Sequence, residues 1–389
     1  VKIQNGKHQG LLQIKRYGQI YDKICTMENL YEAHMNARKD KLFYREVQMV
    51  DADPEYYLGM IQEMLLNESY KVSEYTVSII NDKGKERELA KLPYFPDRII
   101  QWAIMLQIEH VFMEIFCTHT CASIKGRGIS KAQDLLHEYL EDTEGTTYCL
   151  KVDVSKFYPS IDHEILKSLL QKKFKDKKLL NLLFKIIDSA PGEKGVPIGS
   201  YLSQYLANFY LAYFDHYMKE ELHLKYVVRY MDDIVILSDS KEELHRVRKL
   251  MDEYLTDRLK LHLKDNWQVF PVDARGIDFI GFRSFHGYTL LRKRTCKKFK
   301  QKMTKIEHKQ KKGQMISYSE FCSANSYNGW LDMCDGHRLW EKYVLPVIPS
   351  LVRYYSEVIV ENKKPQAKII AIDKYKKKIT EKKGWCKTA

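Results

Sequence analysis

The stretch Val227 to Ser238, VVRYMDDIVILS, places two adjacent carboxylates, Asp232 and Asp233, between apolar runs. Val227 and Val228 lead in, Ile234 to Leu237 lead out, and such runs read as buried strands. Two like charges at the tip of a buried hairpin repel each other and resist desolvation. A positive group must offset them, and a metal ion fits that role. A second apolar strand, Tyr148 to Val152, ends in Asp153 within LKVDVSKFYPSID. Carboxylates from two strand ends could hold two hard cations, and a pair about 4 Å apart supports in-line phosphoryl transfer. One ion would activate a 3′-hydroxyl; the other would hold a triphosphate and its leaving pyrophosphate. Mg2+ suits an all-oxygen ligand set, with Mn2+ as a substitute. The plainer alternative is that these aspartates cap turns. It serves Asp153 taken alone, but explains poorly an Asp–Asp pair between apolar strands.

The elements that must position these groups follow from periodicity. Residues 1–70 read as charged helices, one of them opened by Asp53 with Pro54 in its first turn. YTVSIINDKGKERELAKLPYF reads as a β-hairpin turning at Asn81 to Gly84. Amphipathic helices follow at DRIIQWAIMLQIEHVFMEIF and GRGISKAQDLLHEYLE, and more helix from Glu164 to about Ile187. GVPIGSYLSQYLANFYLAYFDHYMKEEL reads as a turn into one long helix. SKEELHRVRKLMDEYLTDRL is a helix with Ser240 as cap and Glu243 in the capping-box position. VDARGIDFIGFRSF is a further hairpin, and the chain from about Leu291 is helical and very basic. This order predicts an α+β core built on an antiparallel sheet.

Bulk properties narrow the partners. The 389 residues carry a net charge of +13, which points to a polyanion, most simply nucleic acid. The eight cysteines lack paired spacing and suit a reducing compartment. The closest cluster, Cys117-Thr-His-Thr-Cys121, has no second pair nearby to complete a zinc site. VKIQNGKHQG is not a signal peptide and no apolar run reaches membrane-spanning length, so a soluble cytoplasmic protein with no membrane partner is expected.

With these motifs laid out, the chain resembles reverse transcriptases. Tyr230-Met231-Asp232-Asp233 is similar to their YxDD box, and seven blocks in family order run over roughly residues 70 to 290. The resemblance implies a right-hand polymerase fold: an N-terminal helical extension (1–70), fingers (71–147), a palm (148–290, with a fingers-like helical insertion at about 164–195), and a basic helical thumb with tail (291–389). It implies that Asp153, Asp232 and Asp233 bind metal, together with the Val154 carbonyl. Lys83, Lys85 and Arg87 resemble the fingers residues that grip the incoming triphosphate, as Arg and Lys neutralise phosphate charge; Arg87 is the firmer choice. Asp97 and Arg98 match a structural helix start. Gly126, Arg127 and Gly128 match a block that approaches template or nucleotide. Tyr158 falls where the family has a bulky gate against a ribose 2′-hydroxyl, so dNTPs are the implied substrates; Phe157 beside it competes for that reading. Lys264 is placed near the triphosphate as a general acid, with an ordinary surface lysine as the alternative. Asp278-Phe279-Ile280-Gly281-Phe282 resembles the primer grip, where Gly281 would permit close backbone approach.

PIGSYLSQ departs from the retroviral and group II intron pattern. Ile198-Gly199 and Ser203-Gln204 stand where those enzymes usually have Gln-Gly and Ser-Pro. The form resembles diversity-generating retroelement enzymes and related prokaryotic groups. An apolar Ile198 gives fewer hydrogen bonds to discriminate base-pair geometry, and selection by shape alone is worth about 1–3 kcal/mol, so low fidelity is expected. The resemblance further implies mutagenesis concentrated at template adenines, an RNA template, a DNA or RNA primer with cDNA product, and a small basic accessory protein. LLRKRTCKKFKQKMTKIEHKQKKGQ is a helix polar on most faces, suited to tracking template–primer phosphates. The alternatives are a phage-defence or otherwise domesticated prokaryotic reverse transcriptase, and a non-catalytic RNA-binding scaffold, against which the three aspartates argue. A viral RNA polymerase is disfavoured by Tyr158 and by YMDD in place of GDD. No nuclease, protease or integrase block is evident.

Overall fold

The computed structural model describes residues 15–82, 85–190, 192–197 and 200–360, without the side chains of 80–88, 359 and 360. The chain divides into two compact units. The first takes residues 1–128 and 150–269; the second takes 129–149 and 270–389. In this division the hairpins after residue 270 group with the basic helices.

The first unit opens with helices Tyr21–Ile24, Met27–Ala37, Arg45–Ala52 and Pro54–Leu66. Asp53 caps the last of these as expected, accepting a bond from the Tyr56 amide at 3.1 Å. Strands β1 (Thr76–Asp82) and β2 (Lys85–Lys91) form an antiparallel hairpin, registered from Thr76↔Lys91 to Asp82↔Lys85. Helix Ile99–Ile115 buries most of its length, which is why its sequence is apolar nearly all round. The expected long helix after Pro197 is broken at Leu211, into Tyr201–Tyr210 and Ala212–His216.

The central sheet contains β3 (Tyr148–Asp153), β4 (Tyr226–Tyr230), β5 (Asp233–Ser238) and β6 (Gln268–Pro271), in the order β4-β5-β3-β6. Its apolar runs are buried: Leu150, Val152, Val227, Val228 and Ile234 to Leu237. β4 and β5 are antiparallel with Tyr230 opposite Asp233, leaving Met231 and Asp232 as a two-residue turn. Helix Lys241–Leu259 follows, capped by Ser240 at 3.1 Å from the Glu243 amide. Only half of the expected capping box forms, because the Glu243 carboxylate turns to Arg246 at 2.6 and 2.7 Å.

In the second unit, β7 (Ile277–Phe279), β8 (Phe282–Phe285) and β9 (Tyr288–Leu291) make a three-stranded antiparallel sheet. Val272–Arg275, read as strand, is a helical turn, and β9 occupies the approach to the basic helix. That helix, Lys293–Lys311, buries Phe299, Met303 and Ile306 and exposes most of its lysines. It packs into an apolar core with Phe321, Leu331, Trp340 and Leu351. Helix Tyr318–Leu331 begins in a complete capping box between Ser317 and Glu320. Among the described residues no disulfide joins two cysteines and no helix is long and apolar enough to cross a membrane.

Candidate active site

The site is built where β3 ends beside the β4–β5 turn. An antiparallel bridge pairs Val154 with Leu263. Its bonds come from the neighbours, Lys264 N to Asp153 O at 2.8 Å and Ser155 N to His262 O at 2.8 Å. The Val154 amide instead donates to the Asp232 carbonyl at 3.0 Å. This fixes the strand end against the turn, and leaves the Val154 carbonyl outside the bridge's own bonding.

The Asp153 and Asp232 carboxyls meet here. Burial, and then the Asp153 charge, raise the Asp232 carboxyl well above the usual carboxylate range. The Lys264 ammonium contacts Asp153 directly. Asp233 behaves differently: its carboxylate is 3.6 Å from the Lys151 ammonium. Among the described residues no three His, Cys, Asp or Glu side chains are grouped closely enough to hold a metal. The structure thus brings two of the three expected carboxylates together and sets the third against a lysine. Two half-buried carboxylates side by side, with an ammonium already drawn to one of them, make a hard-oxygen donor set suited to a divalent cation.

Tyr158 and Phe157 separate cleanly. Phe157 is core, while the Tyr158 hydroxyl lies 3.8 Å from the Met231 sulfur. Burial, followed by the Asp232 charge, pushes the Tyr158 hydroxyl up to about 12. Ser203 is buried and Gln204 half-buried in the first turn of helix Tyr201–Tyr210, whose cap is Ser200. Lys83, Ile198 and Gly199 lie outside the described residues; Lys85 and Arg87 are described only as backbone positions in β2.

The three residues expected at template and primer each have intramolecular contacts. The Arg127 guanidinium binds the Cys117 and Thr120 carbonyls at 2.6 and 2.9 Å, stapling a loop. The Phe279 side chain is fully buried. Gly281 is required by packing: at φ 101°, a Cβ there would overlap the Trp330 ring.

Sequence reasoning missed Lys151 and, more importantly, Arg229. The latter is fully buried within β4. It pairs with Asp215 through Nε at 2.7 Å and Nη2 at 2.5 Å. Burial acts to raise the Asp215 carboxyl, but Arg229 and His119 outweigh it and hold it far below the usual range. The signal was visible: an arginine inside an apolar strand must have a buried partner.

The chain has recognisable relatives. Residues 79–284, more than half of it, match the family described as reverse transcriptase (RNA-dependent DNA polymerase). It is 24% identical over 290 residues to protein YkfC of Escherichia coli K12, covering 64% of this chain and 74% of that one. It is 25% identical over 188 residues to the group II intron-encoded protein LtrA of Lactococcus lactis, covering 45% of this chain but only 31% of LtrA. A telomerase structure from Candida albicans aligns over 77% of this chain and 66% of its own, with 9% identity and a TM-score of 0.46. With its paired aspartates at the strand ends and that match across the sheet, the chain belongs to the reverse transcriptase (RNA-dependent DNA polymerase) family.

Proposed function

We propose that this protein copies an RNA template into cDNA from dNTPs, extending a primer 3′-end at Asp153 and Asp232. The observation that carries the reading is the meeting of these two carboxyls at the strand end and turn, within a family match that spans the sheet. Asp153, Asp232 and the Val154 carbonyl would hold a divalent cation, Mg2+ by the hardness of the donors, with Asp233 joining once released from Lys151. When bound, the cation would supply Lewis-acid stabilisation of the phosphoryl oxygens.

The remaining work falls to side chains. Lys264 pairs with Asp153 and would protonate the leaving pyrophosphate. Tyr158 stands beside the turn and excludes a 2′-hydroxyl by its bulk. Lys83, Lys85 and Arg87 would grip the triphosphate. The Ile198-Gly199 and Ser203-Gln204 pattern supports an error-prone enzyme of the diversity-generating type, working with a small basic accessory protein. Primer extension on a defined RNA template with dNTPs and Mg2+ tests the activity. Wild-type extension that disappears in Asp232→Asn supports it; a purified, folded protein that extends no RNA- or DNA-primed template, with or without such an accessory protein, overturns it. A repeat pair differing at adenines beside the gene tests the diversity-generating assignment separately.

A further inference from the structure

Behind the turn lies a buried ion pair that the metal-binding carboxylates do not account for. Arg229 and Asp215 are both shut off from solvent. Replacing such a pair by well-packed apolar residues is often neutral or favourable for stability, so stability alone is a weak reason for it. The guanidinium has a further acceptor: Nη1 donates to the Met231 carbonyl at 2.9 Å and to Asn208 Oδ1 at 3.2 Å. Met231 is the turn residue with φ 56°, a conformation that a side chain bearing Cβ disfavours. Its peptide carbonyl leads directly into Asp232.

The clamp is itself held on every side. The Arg229 amide donates to the His119 carbonyl at 2.9 Å, and the Cys121 amide to the Arg229 carbonyl at 3.0 Å. Thr120 Oγ1 donates to Asp215 at 2.7 Å, and Asn208 Nδ2 to the Ala122 carbonyl at 2.8 Å. Arg127 then binds the carbonyls of Cys117 and Thr120. The loop, the helix that carries Asn208 and the segment that carries Asp215 thus converge on one rigid fork. A lysine could not replace it, because an ammonium at one point cannot reach Asp215, Asn208 and the Met231 carbonyl together.

We propose that Arg229 is a positioning residue for the polymerase reaction, its Asp215-locked guanidinium holding the Met231 carbonyl and so aiming Asp232 at Asp153. This rests on the polymerase reading above. It predicts that loosening the fork slows turnover without weakening template or nucleotide binding, since a displacement of about 1 Å at reacting groups can cost about 100-fold in rate.

The test is a double-mutant cycle in steady-state primer extension, with the melting midpoint and template–primer Kd measured for each protein. Wild type must extend first; if it does not, the polymerase reading fails and not this one. Arg229→Lys is expected to lower kcat by about 30-fold or more, with the dNTP KM and template–primer Kd within about threefold of wild type. Met231→Gly removes the reason for the clamp, because glycine takes positive φ without strain. In the Met231→Gly background, Arg229→Lys is therefore expected to cost about fivefold or less. Equal losses in both backgrounds, or a folded Arg229→Lys protein with wild-type kcat, overturn the proposal. Should Arg229→Lys not fold, Thr120→Val decides: it deletes one bond to Asp215 at nearly constant shape and should lower kcat by about threefold at unchanged KM, and an unchanged kcat overturns the proposal.

Discussion

Two hairpins of equal loop length solve one backbone problem in opposite ways. β4–β5 turns through Met231 and Asp232; β7–β8 turns through Ile280 and Gly281. Both place a non-glycine residue at positive φ, 56° at Met231 and 39° at Ile280. In the second, Gly281 follows at φ 101°, so both central residues are left-handed, as a type I′ turn requires. That turn is held by packing: Trp330 lies over Gly281 and stacks on Phe282 at 5.2 Å. The first turn has no glycine and is held by a buried guanidinium on its carbonyl. Apolar packing fixes a turn well enough to build a sheet. Where the turn must present a carboxylate to another strand, directional bonds replace it, because dispersion contacts are weakly directional and hydrogen bonds are not.

The contrast breaks most decisively at the carboxylates. Asp153→Asn and Asp232→Asn should each lower primer extension by at least about 1,000-fold. Asp233→Asn, at the residue paired with Lys151, should lose less, about 100-fold. Equal losses at all three positions in single-turnover assays would show that Asp233 is as fully engaged in the reaction as Asp153 and Asp232. In the other hairpin, Gly281→Ala should destabilise the fold by about 3 kcal/mol through overlap with Trp330 and a disfavoured φ. A denaturant midpoint unchanged in that variant would remove the packing account of the turn.

Smaller effects sharpen the same contrast. Tyr158→Ala should raise rNTP relative to dNTP incorporation by about tenfold in kcat/KM competition, as expected of a lost steric contact. The Asp232 carboxyl, raised in the folded state, binds its proton more tightly than in the unfolded chain. Its contribution to stability is therefore lost as pH rises above the usual carboxylate range. In chelator-treated protein, Asp232→Asn should melt above wild type near pH 8, and the gap should close as pH falls toward about 4. Added Mg2+ should raise the wild-type midpoint more than that of the variant. The smallest effect is expected in the second unit, where Ser317→Ala breaks a capping box and should cost about 1 kcal/mol in chemical denaturation.

Much of the site was legible because its signals are local. An apolar run interrupted by adjacent aspartates has few structural explanations, and the strand ends at Asp153 and Asp233 lie where alternation and burial put them. The cap at Asp53 was readable for the same reason. Other positions were read less well where the deciding partner is far along the chain. The need for glycine at 281 was visible, but not that Trp330 imposes it. The Cys117 and Thr120 carbonyls that Arg127 binds are brought to it only once the loop is folded. Glu243 fits a capping box by spacing, yet Arg246 competes for it on the same helix face.

The amino-acid sequence by itself determined which groups carry charge, which runs must be buried, and hence that two strand ends hold carboxylates. Those are properties of residue type and short-range order, written one position after another. Only the tertiary structure decided which carboxylates meet, that Lys264 reaches Asp153 while Lys151 lies 3.6 Å from Asp233, and that Arg229 closes on Asp215 behind the turn. Electrostatic and hydrogen-bond energies fall steeply with distance and angle, and no spacing along the chain encodes a separation in space.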